Sequence, residues 1–383
     1  MIPVLIIMQS CVIAQPLESV EAGAGQTDKY FHILKGLNVG VVANHTTLVG
    51  DLHLIDTLVS SEIIVMRIFS PEHGFRGTLD AGLNFEDGLD TITGIRVTSL
   101  YGRNRKPRPD QMKGIDILIF DIQDVGARFY TYISTLQYVM EACAEANIPL
   151  LVLDRPNPNG HFVDGPVLDT AYRSFVGMQP IPVVHGMTIG EYALMLNGEG
   201  WLKDGVKCDL QVIKCRNYDH KTEYILPIQP SPNLPNQVSV WLYPSLCLFE
   251  GTSFSCGRGT DIPFQTFGHP DFTIRNFSFI PLPKPGATDP KFNGQECFGI
   301  DLSQADREGL VPMKRINLSW LIDAYRTFPD KGNFFNSYFT TLAGTDKLKQ
   351  QIIDGLSENE IRLSWQEDLT RFKEIRSRYL LYK

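Results

Sequence analysis

The chain has 383 residues, of which 43% are hydrophobic and 20% are charged, and its formal net charge is −8. It is long enough for two domains with separate cores, and its composition is that of an ordinary globular protein. The acidic balance argues against nucleic acid as a partner, because phosphate binding needs a basic surface.

The first 28 residues differ from the rest of the chain. Met1–Met8 is a short apolar run, and residues 19–28 are small and polar, like a tether. The run is far shorter than the roughly 20 apolar residues that span a bilayer. We interpret it as the end of a secretory signal, although it has no positively charged n-region. Cys11 then carries a lipid anchor in a lipobox-like site, or cleavage follows Val12–Ala14, and the protein is exported, either periplasmic or membrane-anchored.

Short apolar runs alternate with helical stretches from about residue 30 to residue 202. The runs are Leu37–Ala43, Ile63–Met66, Ile115–Phe120 and Ile148–Leu153, and the helical stretches include His53–Ser60 and Tyr132–Ala146. Continuous apolar runs of this kind are typical of parallel strands that are buried on both faces. Their alternation with helices predicts βαβ units and a doubly wound, mostly parallel sheet in an α/β protein.

The pattern changes in the last third of the chain. Leu226–Asn236 is rich in proline, which predicts a loop. After Phe254 the sequence has short β-like runs, turns and aromatic residues. Helices are predicted at residues 317–325, 348–361 and 364–382. We therefore expect a leader at residues 1–28, a catalytic α/β domain at residues 29–254, and a smaller α+β domain at residues 255–383 that closes a ligand cleft.

The seven cysteines do not identify the compartment. Cys143 falls in the apolar pattern of a helix and Cys247 in the strand-like segment Leu246–Phe249, so both are expected to pack in the core. Cys208 and Cys215 are candidates for a disulfide across a hairpin. No metal-type spacing of cysteines occurs.

Polar residues follow each predicted parallel strand, at the sheet edge where open α/β proteins bind ligands. We expect them to converge on one active site. They are Asn44, Glu72, His73, Asp121, Gln123, Asp124, Arg128, Tyr130, Asp154 and Arg155.

Among these residues, Glu72 is the first candidate for the catalytic acid, because partial burial against neighbouring phenylalanines would raise its pKa. His73 would orient Glu72 or bind a hydroxyl group. Asp121 or Asp124 would supply a second acid/base group, stabilise positive charge or hold a cation. The alternative is that these side chains only shape their own loops by local hydrogen bonds.

Three further candidates lie later in the chain. His185 precedes Thr188–Glu191, a capping box whose glutamate serves a helix terminus, but the histidine itself could border the cleft. Glu250 follows an apolar run and rivals the earlier carboxylates. Arg258 is flanked by glycines and would either bind a substrate carboxylate or hold the domain junction.

Several familiar motifs are absent from the sequence: GxGxxG after the first strand, GxxxxGK[ST], GxSxG and HExxH. No cofactor and no metal site is therefore predicted. What remains is a set of carboxylates, amides and arginines, which suits acid/base work on a sugar or another polar substrate.

Several ordered motifs carry a family resemblance from about Leu37 to the C-terminus. They are Val42–Thr46, Phe69–Gly77, Phe120–Tyr132, Leu153–Gly160, Val184–Thr188, Phe249–Thr252 and Gly257–Thr260. Together they resemble the NamZ-type exo-β-N-acetylmuramidases. The resemblance implies a Rossmann-like N-terminal domain, a smaller C-terminal domain, and release of N-acetylmuramic acid from the non-reducing end of peptidoglycan glycans or fragments. It places the proposed catalytic glutamate of the family on Glu72 and leaves the second catalytic group unassigned.

Such a substrate fits the residues. Its lactyl carboxylate could be bound in a bidentate way by Arg128, Arg155 or Arg258. Its acetamido group could act as nucleophile, and direct attack by a carboxylate or an inverting route through water are the alternatives. The rival hypotheses are a non-catalytic protein that binds muramyl ligands, and a metal-assisted deacetylase or phosphoesterase that uses Asp121, Asp124 and His73.

Overall fold

The computed structural model describes residues 19–71, 75, 87–305, 309 and 314–383. Strands of the described residues form one large sheet and several small ones. In chain order they are β1 (Asn38–Ala43), β2 (Leu48–Val49), β3 (Leu52–His53), β4 (Ile64–Ser70), β5 (Gly88–Leu89), β6 (Arg96–Ser99), β7 (Ile117–Asp121), β8 (Leu150–Leu153), β9 (Asp164–Val167), β10 (Pro182–Val184), β11 (Leu210–Ile213), β12 (Thr266–His269), β13 (Phe277–Phe279) and β14 (Cys297–Asp301).

The central sheet has the strand order β11-β8-β7-β1-β4-β6-β5, and each neighbouring pair is parallel except β5 with β6. The chain builds one side of the sheet through β1, β4 and β6, then returns to build the other side through β7, β8 and β11. Every residue of β7 and β8 is buried, as their apolar sequences require in strands covered on both faces. The carboxyl ends of β1 and β7 therefore flank the point at which the strand order reverses, where such sheets bind ligands.

Helices cover the sheet and form most of the last quarter of the chain. The described helices are α1 (Phe31–Leu34), α2 (Leu54–Ser60), α3 (Pro109–Met112), α4 (Tyr132–Ala146), α5 (Ile189–Gly198), α6 (Gln237–Leu246), α7 (Ser319–Thr327), α8 (Tyr338–Ala343), α9 (Lys347–Ile353), α10 (Glu358–Leu363) and α11 (Gln366–Ser377). The bounds predicted for α4 match the structure, and the predicted capping box at α5 is present, with Thr188 accepting from the backbone N–H of Glu191. Within the described ranges, no helix combines the length and the apolar character that a membrane crossing requires.

The larger hydrophobic cluster is continuous across the chain. It joins residues of the sheet and α4, such as Phe120 and Val139, to residues of the last third, such as Phe254, Phe334 and Phe372. Smaller sheets flank it: the pair β9–β10, the three-stranded sheet β12-β14-β13 and the hairpin β2–β3. The last third is thus α+β in content and shares its core with the central sheet.

Three predictions about local structure were wrong. The segment Leu246–Phe249 is helical, not a strand, because α6 continues into a 3-10 turn at Cys247–Gly251. Cys208 and Cys215 are both free thiols, and they flank the parallel strand β11 instead of facing each other across a hairpin. The helix predicted over residues 348–361 is broken at Gly355, whose φ of 80° ends α9.

Candidate active site

The residues that follow β1 and β7 are tied to one another by hydrogen bonds. Asn44 donates from Nδ2 to the hydroxyl of Tyr132 at 3.0 Å, and its Oδ1 accepts from the backbone N–H and the hydroxyl of Thr46. The Thr46 hydroxyl accepts from the backbone N–H of Gln123 at 3.0 Å. Gln123 donates from Nε2 to the backbone carbonyl of Asp124 at 2.8 Å. Polar side chains therefore fill the space between the two strand ends and hold the loops together.

Asp121 and Arg155 form a buried ion pair at the carboxyl ends of β7 and β8. Nη2 of Arg155 donates to Oδ2 of Asp121 at 2.8 Å and to the backbone carbonyl of Leu48 at 3.1 Å. Burial raises the pKa of Asp121, while the Arg155 guanidinium opposes that shift. The charges of both side chains are thus satisfied within the protein.

Asp124 and His185 lie together in the interior. Oδ2 of Asp124 accepts from the backbone N–H of Gly126 at 2.6 Å, and Nε2 of His185 lies 3.9 Å from the same oxygen. Burial raises the pKa of Asp124 to about 7 and lowers the pKa of His185 to about 3. In the part of the chain that the structure describes, Oδ1 of Asp124 and Nε2 of His185 have no hydrogen-bond partner. The interior therefore favours the uncharged form of both side chains.

Asp154 holds the N-terminus of α5. Its Oδ1 accepts from the backbone N–H of Gly190 at 2.8 Å, and its Oδ2 accepts from the hydroxyls of Thr188 at 2.7 Å and Tyr382 at 2.6 Å. A carboxylate at this position complements the positive end of the helix dipole. Burial raises the pKa of Asp154 to about 6, and these hydrogen bonds oppose the shift.

Arg128 is fully buried and binds only backbone oxygens among the described residues. It donates to the carbonyls of Pro166, Ile181, Leu342 and Ala343 at distances between 2.7 and 2.9 Å. Burial lowers its pKa to about 9. The guanidinium thus joins β9 and the segment before β10 to the end of α8, which indicates a structural role.

A cleft of about 420 Å³ opens beside the loops that follow β6 and β7. Its walls carry many aromatic side chains with polar groups between them, a lining that suits the apolar faces and hydroxyl groups of a sugar. The aromatic lining includes Tyr101, Phe129, Tyr132, Tyr243, Phe264 and Tyr338.

Glu250 and Arg258 form an ion pair in the wall of this cleft. Nη1 of Arg258 lies 2.9 Å from Oε1 of Glu250, and its Nη2 donates to the backbone carbonyl of Gly286 at 3.0 Å. Both side chains are partly exposed. Among the described lining residues, Glu250 is the only carboxylate.

The cleft brings together three of the residues predicted from the sequence: Tyr130, Glu250 and Arg258. The Tyr130 hydroxyl also donates to the carbonyl of Pro230 at 2.8 Å, which fixes the ring. The other described candidates are not part of the lining, namely Asn44, Asp121, Gln123, Asp124, Arg128, Asp154, Arg155 and His185. Glu72 and His73 lie outside the described residues, so their roles stay predictions.

The structure also places residues in the cleft that the sequence analysis missed. Arg105 and Phe175 line it, as does the tight turn around Phe175 from Ser174 to Gly177. The cluster of basic residues at Arg103–Arg108, directly after β6, was the signal that could have identified Arg105.

Within the described ranges, no group of three or more His, Cys, Asp or Glu side chains is arranged to hold a metal ion. Asp121 and Asp124, which a metal-assisted enzyme would use, lie in the separate buried clusters described above. His73, the third residue of that hypothesis, lies outside the described residues.

The fold and the cleft together define an α/β protein with a polar, aromatic-lined ligand site beside the carboxyl ends of its parallel strands. The chain matches the family model of the N-terminal part of exo-β-N-acetylmuramidase NamZ over residues 39–238, and that of the C-terminal part over residues 241–382. It belongs to the NamZ exo-β-N-acetylmuramidase family, as the sequence motifs indicated.

The chain is also similar to individual proteins over most of its length. The chain is 38% identical over 376 residues to the peptidoglycan β-N-acetylmuramidase NamZ of Bacillus subtilis (strain 168), in an alignment that covers 91% of this chain and 88% of that protein. It is also similar to crystal structures of two DUF1343 family proteins from Bacteroides fragilis NCTC 9343. One is 50% identical with a TM-score of 0.89, the other 30% identical with a TM-score of 0.81, and each comparison covers 95% of this chain and 99% of that chain.

Proposed function

We propose that this protein is an exo-acting glycosidase that releases N-acetylmuramic acid from the non-reducing end of peptidoglycan glycans or their fragments. The observation that carries the proposal is the aromatic-lined cleft with its Glu250–Arg258 ion pair, in a chain that matches a family of exo-β-N-acetylmuramidases over residues 39–238 and 241–382. Aromatic rings pack against the faces of a sugar ring, and charged groups bind its hydroxyl and carboxyl substituents.

Glu72 is the proposed general acid that protonates the leaving glycosidic oxygen. Two observations support this role. Glu72 is the second residue after β4 in the sequence, and β4 pairs with β6, whose following loop lines the cleft with Tyr101 and Arg105. His73 would orient the Glu72 carboxyl group. General-acid catalysis of this kind contributes about 10²- to 10⁴-fold to the rate.

Glu250 is the proposed second charged group of the site. Its carboxylate lies in the cleft wall, whereas Asp121 is paired with Arg155 and Asp124 lies in the interior. Held by Arg258, Glu250 would stabilise the positive charge that develops on the sugar ring, or orient the acetamido group if that group attacks. Attack by the acetamido group and attack by a carboxylate both retain the configuration at the released sugar, whereas the route through water inverts it, so the stereochemistry of the product separates the last route from the other two.

We further infer that the N-terminal part of the protein is Rossmann-like. If the six parallel strands are numbered along the chain, their order across the sheet is 3-2-1-4-5-6, as in doubly wound dinucleotide-binding folds.

The catalytic domain would extend to residue 254, with residues 255–383 closing the cleft. The leader at residues 1–28 would direct export to the periplasm or, through a lipid on Cys11, to a membrane surface. Nucleic acid is not a proposed partner.

The test is hydrolysis of a chromogenic β-N-acetylmuramide, with the matching β-N-acetylglucosaminide as control substrate. We expect the wild type to cleave the muramide and the Glu72→Gln variant to lose about 10²- to 10⁴-fold in kcat. Glu374→Gln, which removes an exposed carboxylate on α11, is the matched control and should keep wild-type activity.

Failure of the folded wild type to cleave either glycoside would reject the glycosidase and favour a binding protein for muramyl ligands. Full activity of Glu72→Gln would keep the reaction but reject Glu72 as its acid. Activity that is lost on chelation and restored by a divalent metal would instead support the metal-assisted hypothesis.

A further inference from the structure

Arg105 and Phe175 of the cleft lining belong to a stack of three side chains. Cζ of Arg105 lies 4.4 Å from the centroid of the Phe175 ring. The Phe175 ring in turn stacks on Tyr138 of α4, with centroids 6.1 Å apart and an angle of 11° between the rings. Arg105 comes from the loop after β6, and Phe175 lies in the tight turn from Ser174 to Gly177.

The stack restrains the Arg105 guanidinium without neutralising its charge. A guanidinium over an aromatic ring is held by the electrons of the ring face, so the contact does not use up its N–H groups as hydrogen-bond donors. Those N–H groups form the fork that binds a carboxylate in a bidentate way. Among the described residues, Arg105 takes part in no ion pair.

The other arginines near the site are already engaged. Arg128 donates to four backbone carbonyls in the interior, Arg155 is paired with Asp121, and Arg258 is paired with Glu250. Arg105 and Arg258 are the two cationic side chains among the described residues that line the cleft. Of these two, Arg105 has the guanidinium whose charge is not offset by a described carboxylate.

We propose that Arg105, held over the ring of Phe175, binds the carboxylate of the lactyl group of the substrate and thereby selects N-acetylmuramic acid over N-acetylglucosamine. This inference rests on the proposed function, since the carboxylate is what distinguishes the two sugars. The proposal gives Arg105 the role for which the sequence suggested Arg128, Arg155 or Arg258.

A paired change in enzyme and substrate tests the contact. Three chromogenic substrates are compared: the β-N-acetylmuramide, the same glycoside with its lactyl carboxyl converted to the primary amide, and the β-N-acetylglucosaminide. We expect Arg105→Gln to lower kcat/KM for the free acid by about 10- to 100-fold, because a hydrogen-bonded charge pair is lost. The same variant should change kcat/KM for the amide and for the glucosaminide by less than about threefold.

Two further variants separate charge from geometry. Arg105→Lys keeps the charge but not the planar fork, so its activity on the free acid should lie between those of the wild type and Arg105→Gln. Arg103→Gln removes an exposed arginine of the same loop that is not part of the cleft lining, and it should behave as the wild type on all three substrates.

Equal losses on the acid and the amide would mean that Arg105 only supports the loop, and unchanged discrimination would mean that another group reads the carboxylate. Either result overturns the proposal.

If the wild type cleaves none of the substrates, the proposed function has failed. Binding of free N-acetylmuramic acid, measured by calorimetry, then tests the carboxylate site by itself. Weaker binding to Arg105→Gln than to Arg103→Gln supports the carboxylate site, whereas equal binding rejects it.

Discussion

The three carboxylates at the ends of β7 and β8 are stabilised by different partners. Asp121 has the guanidinium of Arg155, and Asp154 has two hydroxyl groups and a helix N-terminus. Asp124 accepts from the backbone N–H of Gly126 and faces an uncharged histidine. Burial raises the pKa of all three, and Asp124 has the weakest compensation for its charge in its ionised form.

The raised pKa of Asp124 predicts that its contribution to stability falls as the pH rises. The folded state keeps this proton up to about pH 7, whereas an unfolded aspartic acid releases it near pH 4. Between these values the folded state binds more protons, so the free energy of unfolding declines by up to about 1.4 kcal/mol per pH unit. Asp124→Asn has no proton to release, and we expect it to gain stability relative to the wild type across this range.

Urea unfolding of both proteins at about pH 5, 6 and 7 measures the difference, in which the similar contribution of Asp154 cancels. Asp51→Asn, an exposed change in a turn, is the control for the loss of one carboxyl group. A constant difference between Asp124→Asn and the wild type would contradict the raised pKa.

Residue positions in the sequence predict which side chains come to the edge of the sheet, but not what they contact there. Asp121 and Arg155 were both candidates for the site because each follows a strand, yet they bind each other although they are 34 positions apart in the sequence. Arg105 was missed because it lies in a loop without hydrophobic periodicity. Its proposed role depends on its contact with the ring of Phe175, which is distant in the sequence. The cleft lining results from tertiary contacts that no local pattern contains.

At the scale of elements, the sequence predicted best where a long hydrophobic period or a capping motif marks the helix. The apolar residues of α4 recur with the 3.6-residue period of a helix, which a strand does not share. The capping box of Thr188 and Glu191 marks the start of α5. A four-residue apolar run such as Leu246–Phe249 fits either a buried helix or a strand, because it is too short to show the period of either structure. There the decisive feature lies upstream, where Asn236 caps α6 by accepting from the backbone N–H of Ser239 at 2.9 Å.

The cap of α5 predicts a measurable loss of stability. The Thr188 hydroxyl accepts from the backbone N–H of Glu191 and donates to the buried carboxylate of Asp154. Thr188→Ala removes both contacts, so we expect it to lower the free energy of unfolding by about 1–2 kcal/mol. Thr188→Ser keeps the hydroxyl and should cost less than about 0.5 kcal/mol in the same urea titration. Equal costs for the two variants would show that packing of the methyl group, not the cap, is being measured.

At the scale of the whole molecule, the sequence divided the chain at residue 254, while the hydrophobic cluster runs through that point. Buried polar contacts cross it too. Arg362 of α10 pairs with Asp164 of β9 at 2.7 Å, and Tyr382 donates to Asp154 at 2.6 Å. Because the two parts share a hydrophobic core and buried polar contacts, we expect them to unfold together.

Arg128 provides the sharpest test of that coupling, because its guanidinium binds carbonyls of Pro166 and Ile181 on one side and of Leu342 and Ala343 on the other. Arg128→Met would leave these buried acceptors unpaired and should lower the free energy of unfolding by about 3–5 kcal/mol. Unfolding by urea is followed by far-UV circular dichroism and by tryptophan fluorescence, and both transitions should move together to lower urea concentration.

The control is Arg103→Gln, an exposed change on a loop, which should change the free energy of unfolding by less than about 0.5 kcal/mol. Transitions that separate in Arg128→Met would mean that the C-terminal part folds on its own, and a cost below about 1 kcal/mol would mean that the guanidinium is not what joins the parts.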